Sequence, residues 1–288
     1  MKHVFLINSF TVKKRLEEVK GKIISYAKDY EIDYVIEINS KATSTEQILE
    51  KYKNGRNLII VVGGDGIVNR TVNVLAGTDN KLMLIPYGTG NDFYKTVKKE
   101  LKPGLNKIDV VRINERYFVN TACFGIDADV ANTKDKIKTD IIPRQLKYYL
   151  ALIYVFFIYK CRQLKIKTAK KEVENKYTTI AICNGSYYGG SFNIGPKSSI
   201  LDNKLEIYLV NKLNRFSMMN LILKMKKGKH EKDSRVEKII DNKLTITSPK
   251  PISANIDGEE LISDKFDIEI ISKGMNIYYD EEMLERLI

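Results

Sequence analysis

Four short, β-branched apolar runs alternate with four amphipathic stretches through the first third of the chain, and no other feature constrains the fold so tightly. Residues 4–7, 34–38, 58–62 and 81–85 read as strands, and residues 13–28, 45–52, 67–76 and 92–97 as helices. The run 58–62 is apolar throughout, as in a strand buried on both faces. Alternation of this kind implies a mostly parallel sheet covered by helices. From about residue 109 the pattern changes. Residues 109–113 and 117–122 flank the turn pair Asn114-Glu115, a helix is expected over 146–159, and the remaining segments 164–168, 178–183, 204–210, 243–247, 252–256, 266–271 and 276–279 are short and strand-like. Several alternate apolar with polar residues, which predicts a second, antiparallel domain with sandwich character.

Composition narrows the chemistry. The formal charge of +12 over 288 residues favours polyanionic partners: nucleic acid, an anionic membrane surface or a phosphorylated small molecule. Nucleic acid is not expected, because the lysines are scattered rather than interleaved with aromatics and no recognition helix stands out. The densest basic stretch, 224–232, reads as a loop. Cys123, Cys161 and Cys183 are too far apart in sequence to suggest a disulfide framework or a metal pair, and a reducing, cytoplasmic setting is expected. His3 and His230 are the only histidines, so a histidine-based zinc site or nucleophilic triad is nearly excluded. Residues 150–159 form the longest apolar stretch, much shorter than the roughly 20 residues a membrane-spanning helix needs. No signal-peptide cleavage site follows residues 4–7.

Two glycine loops then focus attention on one edge of the sheet. Gly63-Gly64-Asp65-Gly66 follows the third strand and precedes a helix. Such a loop brings backbone N–H groups and a helix N-terminus against an anion, although a ligand-free tight turn uses the same residues. The second loop, Pro86-Tyr87-Gly88-Thr89-Gly90-Asn91-Asp92-Phe93, follows the fourth strand, so both emerge at the carboxyl edge where open α/β sheets bind ligands. Neither is a Walker A loop or a dinucleotide fingerprint.

Together these loops resemble the diacylglycerol kinase catalytic-domain family, in its bacterial soluble lipid-kinase branch. The resemblance continues through Asp109, the stretch Asn120-Thr121-Ala122-Cys123-Phe124-Gly125-Ile126-Asp127-Ala128, the loop from Tyr188 to Pro196, and Asp257-Gly258-Glu259. It implies a Rossmann-like nucleotide domain over 1–120, on which residues from about 275 to 288 pack back. A β-rich lipid-side domain follows over 121–275, with the active site in the cleft between them. It further implies a kinase that uses ATP and Mg²⁺ to phosphorylate a lipid hydroxyl, with diacylglycerol as the family default, working peripherally at the anionic inner face of the membrane.

By the same resemblance, Asn39, Gly63, Gly64, Asp65, Gly66, Ile67, Val68, Asn69, Gly88, Thr89 and Asn91 contact nucleotide, and Asp65, Asp92 and Asp109 form an acidic network around the catalytic Mg²⁺. Hard Mg²⁺ prefers carboxylate and water oxygens, although each acid is also a residue that stabilises turns or caps helices. Glu259 is expected to be the general base that accepts the lipid hydroxyl proton, with Asp65 beside it in the catalytic set; Asp257-Gly258 is equally a strong hairpin-turn signal. A second, structural cation is implied at Asp202 with the carbonyls of Ser199 and Lys204, where Asn203 stands in place of the usual glycine. Other departures are Ile67 for a threonine, the early loop Asn8-Ser9-Phe10-Thr11 without Pro or Gly, and Lys95 for an arginine. Two alternatives stand beside this reading: a soluble-substrate kinase of the NAD kinase type, and a lipid- or membrane-binding relative with weak catalysis. A sheet edge in the second domain is compatible with a homodimer about a two-fold axis.

Overall fold

The computed structural model describes residues 1–12, 15–125, 129, 159 and 161–288. The helix expected over 146–159, apart from Tyr159, and the motif residues Ile126, Asp127 and Ala128 lie outside the described residues. The chain divides into two compact units, Met1–Val110 with Ile271–Ile288, and Val111–Ile270.

The first unit is the expected α/β layer. Strands β1 (His3–Asn8), β2 (Tyr34–Asn39), β3 (Leu58–Gly63) and β4 (Lys81–Pro86) pair in parallel in the order β2-β1-β3-β4. All six residues of β3 are buried, as a central strand covered on both faces requires. Between the strands run a short helical turn α1 (Ser9–Val12), then α2 (Leu16–Asp29), α3 (Thr45–Glu50), α4 (Asp65–Leu75) and α5 (Asp92–Glu100). Helix α2 buries Val19, Ile23, Tyr26 and Ala27, the i, i+4, i+7, i+8 stripe of an amphipathic helix. Ser44 and Gln47 close a reciprocal capping box at the start of α3.

The chain leaves this unit along β5 (Gly104–Ile113) and returns along the last strand of the molecule, whose Asn276 and Ile277 pair in parallel with Lys81 and Leu82 of β4.

The second unit is antiparallel. It contains β6 (Arg116–Phe118), β7 (Thr121–Gly125), β8 (Arg162–Thr168), β9 (Glu172–Cys183), the small hairpin β10 (Tyr187–Tyr188) and β11 (Phe192–Asn193), and β12 (Leu205–Asn211). After helix α6 (Arg215–Lys226) come β13 (Val236–Asp241), β14 (Lys243–Ile256) and β15 (Glu259–Tyr279), and α7 (Glu281–Leu287) ends the chain in the first unit. Strands β7 and β8 both join β9 to β14, β8 along their first halves and β7 along their second halves. Period-two alternation sorts the side chains. Ala122, Phe124, Ile180, Ile182, Ile207 and Leu209 enter one core, where the Phe124 and Phe266 rings meet edge to face at 4.9 Å. Cys123, Ala181, Cys183, Tyr208 and Val210 enter a second core, closed by Leu221 and Met225 of α6. All three cysteines are free thiols.

Several boundaries differ from the sequence reading. Residues 117–122 do not form one strand: β6 stops at Phe118 and β7 starts at Thr121, because the Asp257 carboxylate draws off the N–H groups of Val119, Asn120 and Thr121. Residues 243–247 and 252–256 are one strand, interrupted only by a register shift between Thr247 and Ile252, where Pro249 and Pro251 supply no ladder N–H. Residues 224–232 are not a loop: Lys224 to Lys226 are the last turn of α6, and His230–Lys232 form a 3₁₀ turn. Helix α6 itself escapes the periodicity rule because its apolar residues occupy both its buried and its exposed faces.

Candidate functional site

Parallel strands deliver their carboxyl ends to one edge, and here Gly63 of β3 lies opposite Pro86 of β4. The loops that follow meet backbone to backbone. A Cβ on Gly64 would stand 2.9 Å from the Gly88 Cα, and a Cβ on Gly88 would stand 2.5 Å from the Gly64 Cα. Real side chains do not tolerate such contacts, so this juncture demands glycine on both sides. Gly63 is equally confined: a Cβ there would meet Ile67 Cγ2 at 2.6 Å and Asn8 Cβ at 3.1 Å. Ile67 is thus a buried packing residue at this edge, where a threonine would offer a hydroxyl.

Asn91 sets the shape of the second loop. Its backbone is left-handed, with φ 51°, and its side chain accepts the Gly88 N–H at 3.0 Å while donating to the Gly88 carbonyl at 2.9 Å. Occupied in this way, it makes no side-chain cap on α5. That task falls to Asp65, the first residue of α4, whose Oδ1 accepts the Phe93 N–H at 3.1 Å. One carboxylate therefore ties the start of α4 to the start of α5. At the N-cap of α4 itself, Gly64 has no side chain to offer, which leaves the first N–H groups of that helix to an anion or water.

The electrostatics of this corner are strained. Burial first, and then the charge of Asp92, push the Asp65 carboxyl above its ordinary range, against the N–H groups of Phe93 and Asp92 and the Lys95 ammonium. Asp92 is buried, with Lys95 Nζ 3.3 Å from its Oδ1; the same ammonium donates to the Gly90 carbonyl at 2.6 Å. Asp109, also buried, accepts the Lys273 N–H at 2.9 Å. Among the described residues no three His, Cys, Asp or Glu side chains converge as a metal cage. A Mg²⁺ ion carrying phosphates asks for less, commonly one or two carboxylates plus waters. A partly buried acid whose ionisation is opposed by a second acid is donor chemistry that fits such an ion.

The other predicted nucleotide contacts take varied positions. Val68 and Asn69 are buried on α4, Gly66 is exposed in its first turn, Thr89 is exposed in the loop after β4, and the Asn69 side chain accepts from Asn73 at 3.3 Å. Asn39, at the end of β2, is buried and committed: its Oδ1 accepts the Ser9 N–H at 3.0 Å, its amide donates to Thr45 Oγ1 at 3.2 Å, and its carbonyl accepts the Ser9 hydroxyl at 2.6 Å. It positions the Asn8-Ser9 loop.

In the second unit, Asp257 and Gly258 both have positive φ, 47° and 96°, and form the two-residue hairpin between β14 and β15. Glu259, partly buried, opens β15 directly after it. The turn is anchored rather than free. Asp257 accepts the N–H groups of Val119 at 2.7 Å, Asn120 at 3.1 Å and Thr121 at 2.8 Å, and Asn255 Oδ1 accepts the Gly258 N–H at 3.1 Å. The Asn120 carbonyl in turn accepts from the N–H groups of Asn184 and Gly185. Sequence reasoning missed the roles of Asp257, Asn184 and Asn255; the crowding of Asn before and after the strands was their one visible signal.

The loop at 199–204 is a compact turn. Asp202 Oδ1 accepts the Lys204 N–H at 3.1 Å, Ser199 Oγ accepts the Leu201 N–H at 3.3 Å, and Asn203 is left-handed with φ 56°. Asparagine tolerates this left-handed conformation better than other non-glycine residues, so the turn forms without the glycine expected there.

Known proteins resemble this chain across both units. A family model described as the diacylglycerol kinase catalytic domain matches residues 2–116, and one described as the YegS C-terminal NAD kinase beta sandwich-like domain matches residues 120–278. A Bacillus subtilis (strain 168) protein named diacylglycerol kinase is 27% identical over 217 residues, covering 70% of this chain and 71% of the relative. A Staphylococcus aureus (strain MSSA476) protein bearing a lipid-kinase name is 25% identical over 277 residues, covering 91% of this chain and 85% of the relative. Among solved structures, a Bacillus anthracis (strain Sterne) chain superposes with TM-score 0.78 at 21% identity over 98% of this chain and 96% of that chain. A second, titled as a diacylglycerol kinase, gives TM-score 0.71 at 18% identity over 98% of both chains, and these two likenesses concern the fold alone. With one family model covering the α/β unit and the other covering more than half the chain, the protein belongs to the diacylglycerol kinase catalytic-domain family of lipid kinases, phosphotransferases that act on an alcohol group.

Proposed function

We propose that this chain transfers the γ-phosphoryl group of ATP to the free hydroxyl of diacylglycerol, yielding phosphatidic acid and ADP, with Mg²⁺ as cofactor and at the cytoplasmic face of a membrane. The observation that carries the reading is the backbone contact of Gly64 with Gly88, which unites two phosphate-type loops and brings Asp65 and Asp92 to the same corner. Phosphoryl transfer asks little covalent chemistry of a protein; it asks for positioning and for neutralisation of phosphate charge. The N–H groups at the start of α4 and in the loop after β4 hold the triphosphate. Asp65, Asp92 and Asp109 would hold the Mg²⁺ ion, which would supply neutralisation of phosphate charge. Glu259 accepts the lipid hydroxyl proton as the new O–P bond forms and the bond to ADP breaks.

The test is a lipid-panel assay with labelled ATP and Mg²⁺, run beside an Asp65→Ala control and an arm containing NAD. Label in the organic phase, absent from the control, is expected; label on NAD would replace the reading with a soluble-substrate kinase, and no transfer to any acceptor would sink it. The turn at 199–204 is proposed to hold a second, structural Mg²⁺ through Asp202 and the Ser199 and Lys204 carbonyls. Magnesium should then raise the melting temperature of the wild type by more than that of Asp202→Ala; equal shifts would remove this ion from the account.

A further inference from the structure

Helix α6 has two apolar faces. Met218, Leu221 and Met225 are buried against the second unit, whereas Phe216, Met219 and Leu223 face solvent, Phe216 at 91% and Leu223 at 58% exposure. The exposed three recur at i, i+3 and i+7, so they form one stripe on the side opposite the buried three. An exposed apolar stripe of this kind on a charged protein marks an interaction surface.

The surrounding charge indicates the partner. Residues 211–230 contain Lys212, Arg215, Lys224, Lys226, Lys227 and Lys229 and no acid. By helical position Arg215 and Lys226 flank the stripe on one side and Lys227 on the other, and Lys226, Lys227 and Lys229 are exposed. The nearest acids are already engaged: Asp233 is buried between Lys224 at 2.8 Å and Arg235 at 2.6 Å, and Glu231 is held by Lys197 and Lys238. A stripe of Phe, Met and Leu rimmed by solvent-facing lysines, with local acids neutralised internally, is complementary to an anionic bilayer, into whose interface the apolar side chains sink while the ammonium groups meet lipid phosphates.

We infer that α6 is the membrane-docking element of this protein, lying on anionic lipid through Phe216, Met219 and Leu223 with Lys226 and Lys227 at the rim. The inference deepens the lipid-kinase reading, on which it rests for its biological sense, but vesicle binding is measurable without any turnover. Docking through so few side chains is reversible, which suits an enzyme that must take a substrate from the bilayer and leave a product in it.

The experiment is co-sedimentation of the full chain with vesicles of phosphatidylcholine alone or containing phosphatidylglycerol, at low and at 0.5 M salt. It is repeated for the triple variant Phe216→Ser, Met219→Ser, Leu223→Ser and for the double variant Lys226→Glu, Lys227→Glu. The wild type is expected to bind the anionic vesicles and lose most binding at high salt; each variant is expected to bind at least tenfold more weakly with an unchanged melting temperature. Phosphorylation of a short-chain, water-dispersed diacylglycerol, measured in parallel, should be the same for all three proteins. Wild-type-like vesicle binding by both variants overturns the docking assignment and leaves the kinase reading standing. Lost binding with no phosphorylation of any lipid by the wild type keeps the docking surface and removes the kinase. A concentration-dependent dimer of the wild type that the triple variant abolishes, without vesicle binding by either, assigns the stripe to a second copy of this chain and overturns the inference.

Discussion

Two pairs of carboxylates, one in each unit, are treated in opposite ways. In the second unit Glu206 and Glu231 flank Tyr208, whose hydroxyl lies 2.6 and 2.8 Å from their carboxylate oxygens and shares its one proton between them, and Lys238 bonds to each acid. Lys238 stands directly opposite Tyr208 across the β12–β13 ladder, so the sheet itself supplies the cation. Burial opposes ionisation of Glu231, yet the hydrogen bonds from Lys238, Tyr208 and Lys197 outweigh it and draw its carboxyl down to about 2. In the first unit Asp65 and Asp92 also adjoin, but there burial and mutual repulsion outweigh the N–H groups and Lys95, and Asp65 is pushed up. The first arrangement is complete within the protein and serves the fold. The second opposes ionisation of Asp65, a perturbation that the proposed cation would relieve.

Breaking the built-in neutralisation should have the largest effect. Lys238→Met strands the buried Glu206 and leaves the partly buried Glu231 to Lys197 alone; uncovering a buried acid typically costs about 3–5 kcal/mol, and for a unit of this size the melting temperature should fall by roughly 10 °C or more. A melt within two degrees of wild type would mean that Tyr208 suffices and that the comparison is misdrawn. Asp65→Asn keeps the acceptor for Phe93 N–H and removes the charge. Turnover should fall about 10²–10³-fold, yet thermal stability at neutral pH should rise. The sign follows from linkage: a carboxyl raised on folding binds more protons native than unfolded, so its ionised form at neutral pH opposes the fold. A variant that melts earlier than wild type contradicts the repulsion.

Glu259→Gln should lower turnover about 10²-fold with little change in melting; more than a tenth of wild-type turnover would show that no proton passes through that side chain. The smallest effect concerns acid. Glu231 lies below its unfolded value, so its contribution is fully present above about pH 4.5 and is lost as pH falls towards about 2. His230 is fully buried, its ring edge-on to Tyr208 at 4.9 Å, and burial lowers it below its ordinary 6.5. The unfolded chain therefore takes up its proton first, and stability declines as pH falls below 6.5. His230→Phe should flatten that decline while sparing the lower step; an unchanged acid titration would show that His230 does not set it.

What the sequence made legible was whatever a single residue type compels. Gly64 and Gly88 could be singled out because no other residue permits their approach, and β3 because only a central strand is apolar at every position. The Asp65 bond to the start of α5 could not be read, since it needs two loops 28 positions apart to become neighbours. Asp257 looked like a turn former and is one, but its three backbone partners lie far back in the chain. The Glu206–Tyr208–Lys238 cluster hid inside ordinary strand alternation, and α6 hid because a helix apolar on two faces has no single stripe to detect.

The return of residues 271–288 to the first unit bears on how the molecule is made. The β4 edge is paired by Asn276 and Ile277, and α7 is tied to earlier residues through Tyr87 to Leu287, Lys22 to Ile288 and Arg286 to Asp29. During synthesis the α/β unit must wait with that edge unpaired until all of residues 111–270 have emerged. Its completion is thus a late, long-range event, slow by topology and exposed to misassembly in the interval. A nascent chain halted before residue 271 carries every residue of both glycine loops and Glu259, yet lacks the segment that closes the sheet on which the loops stand.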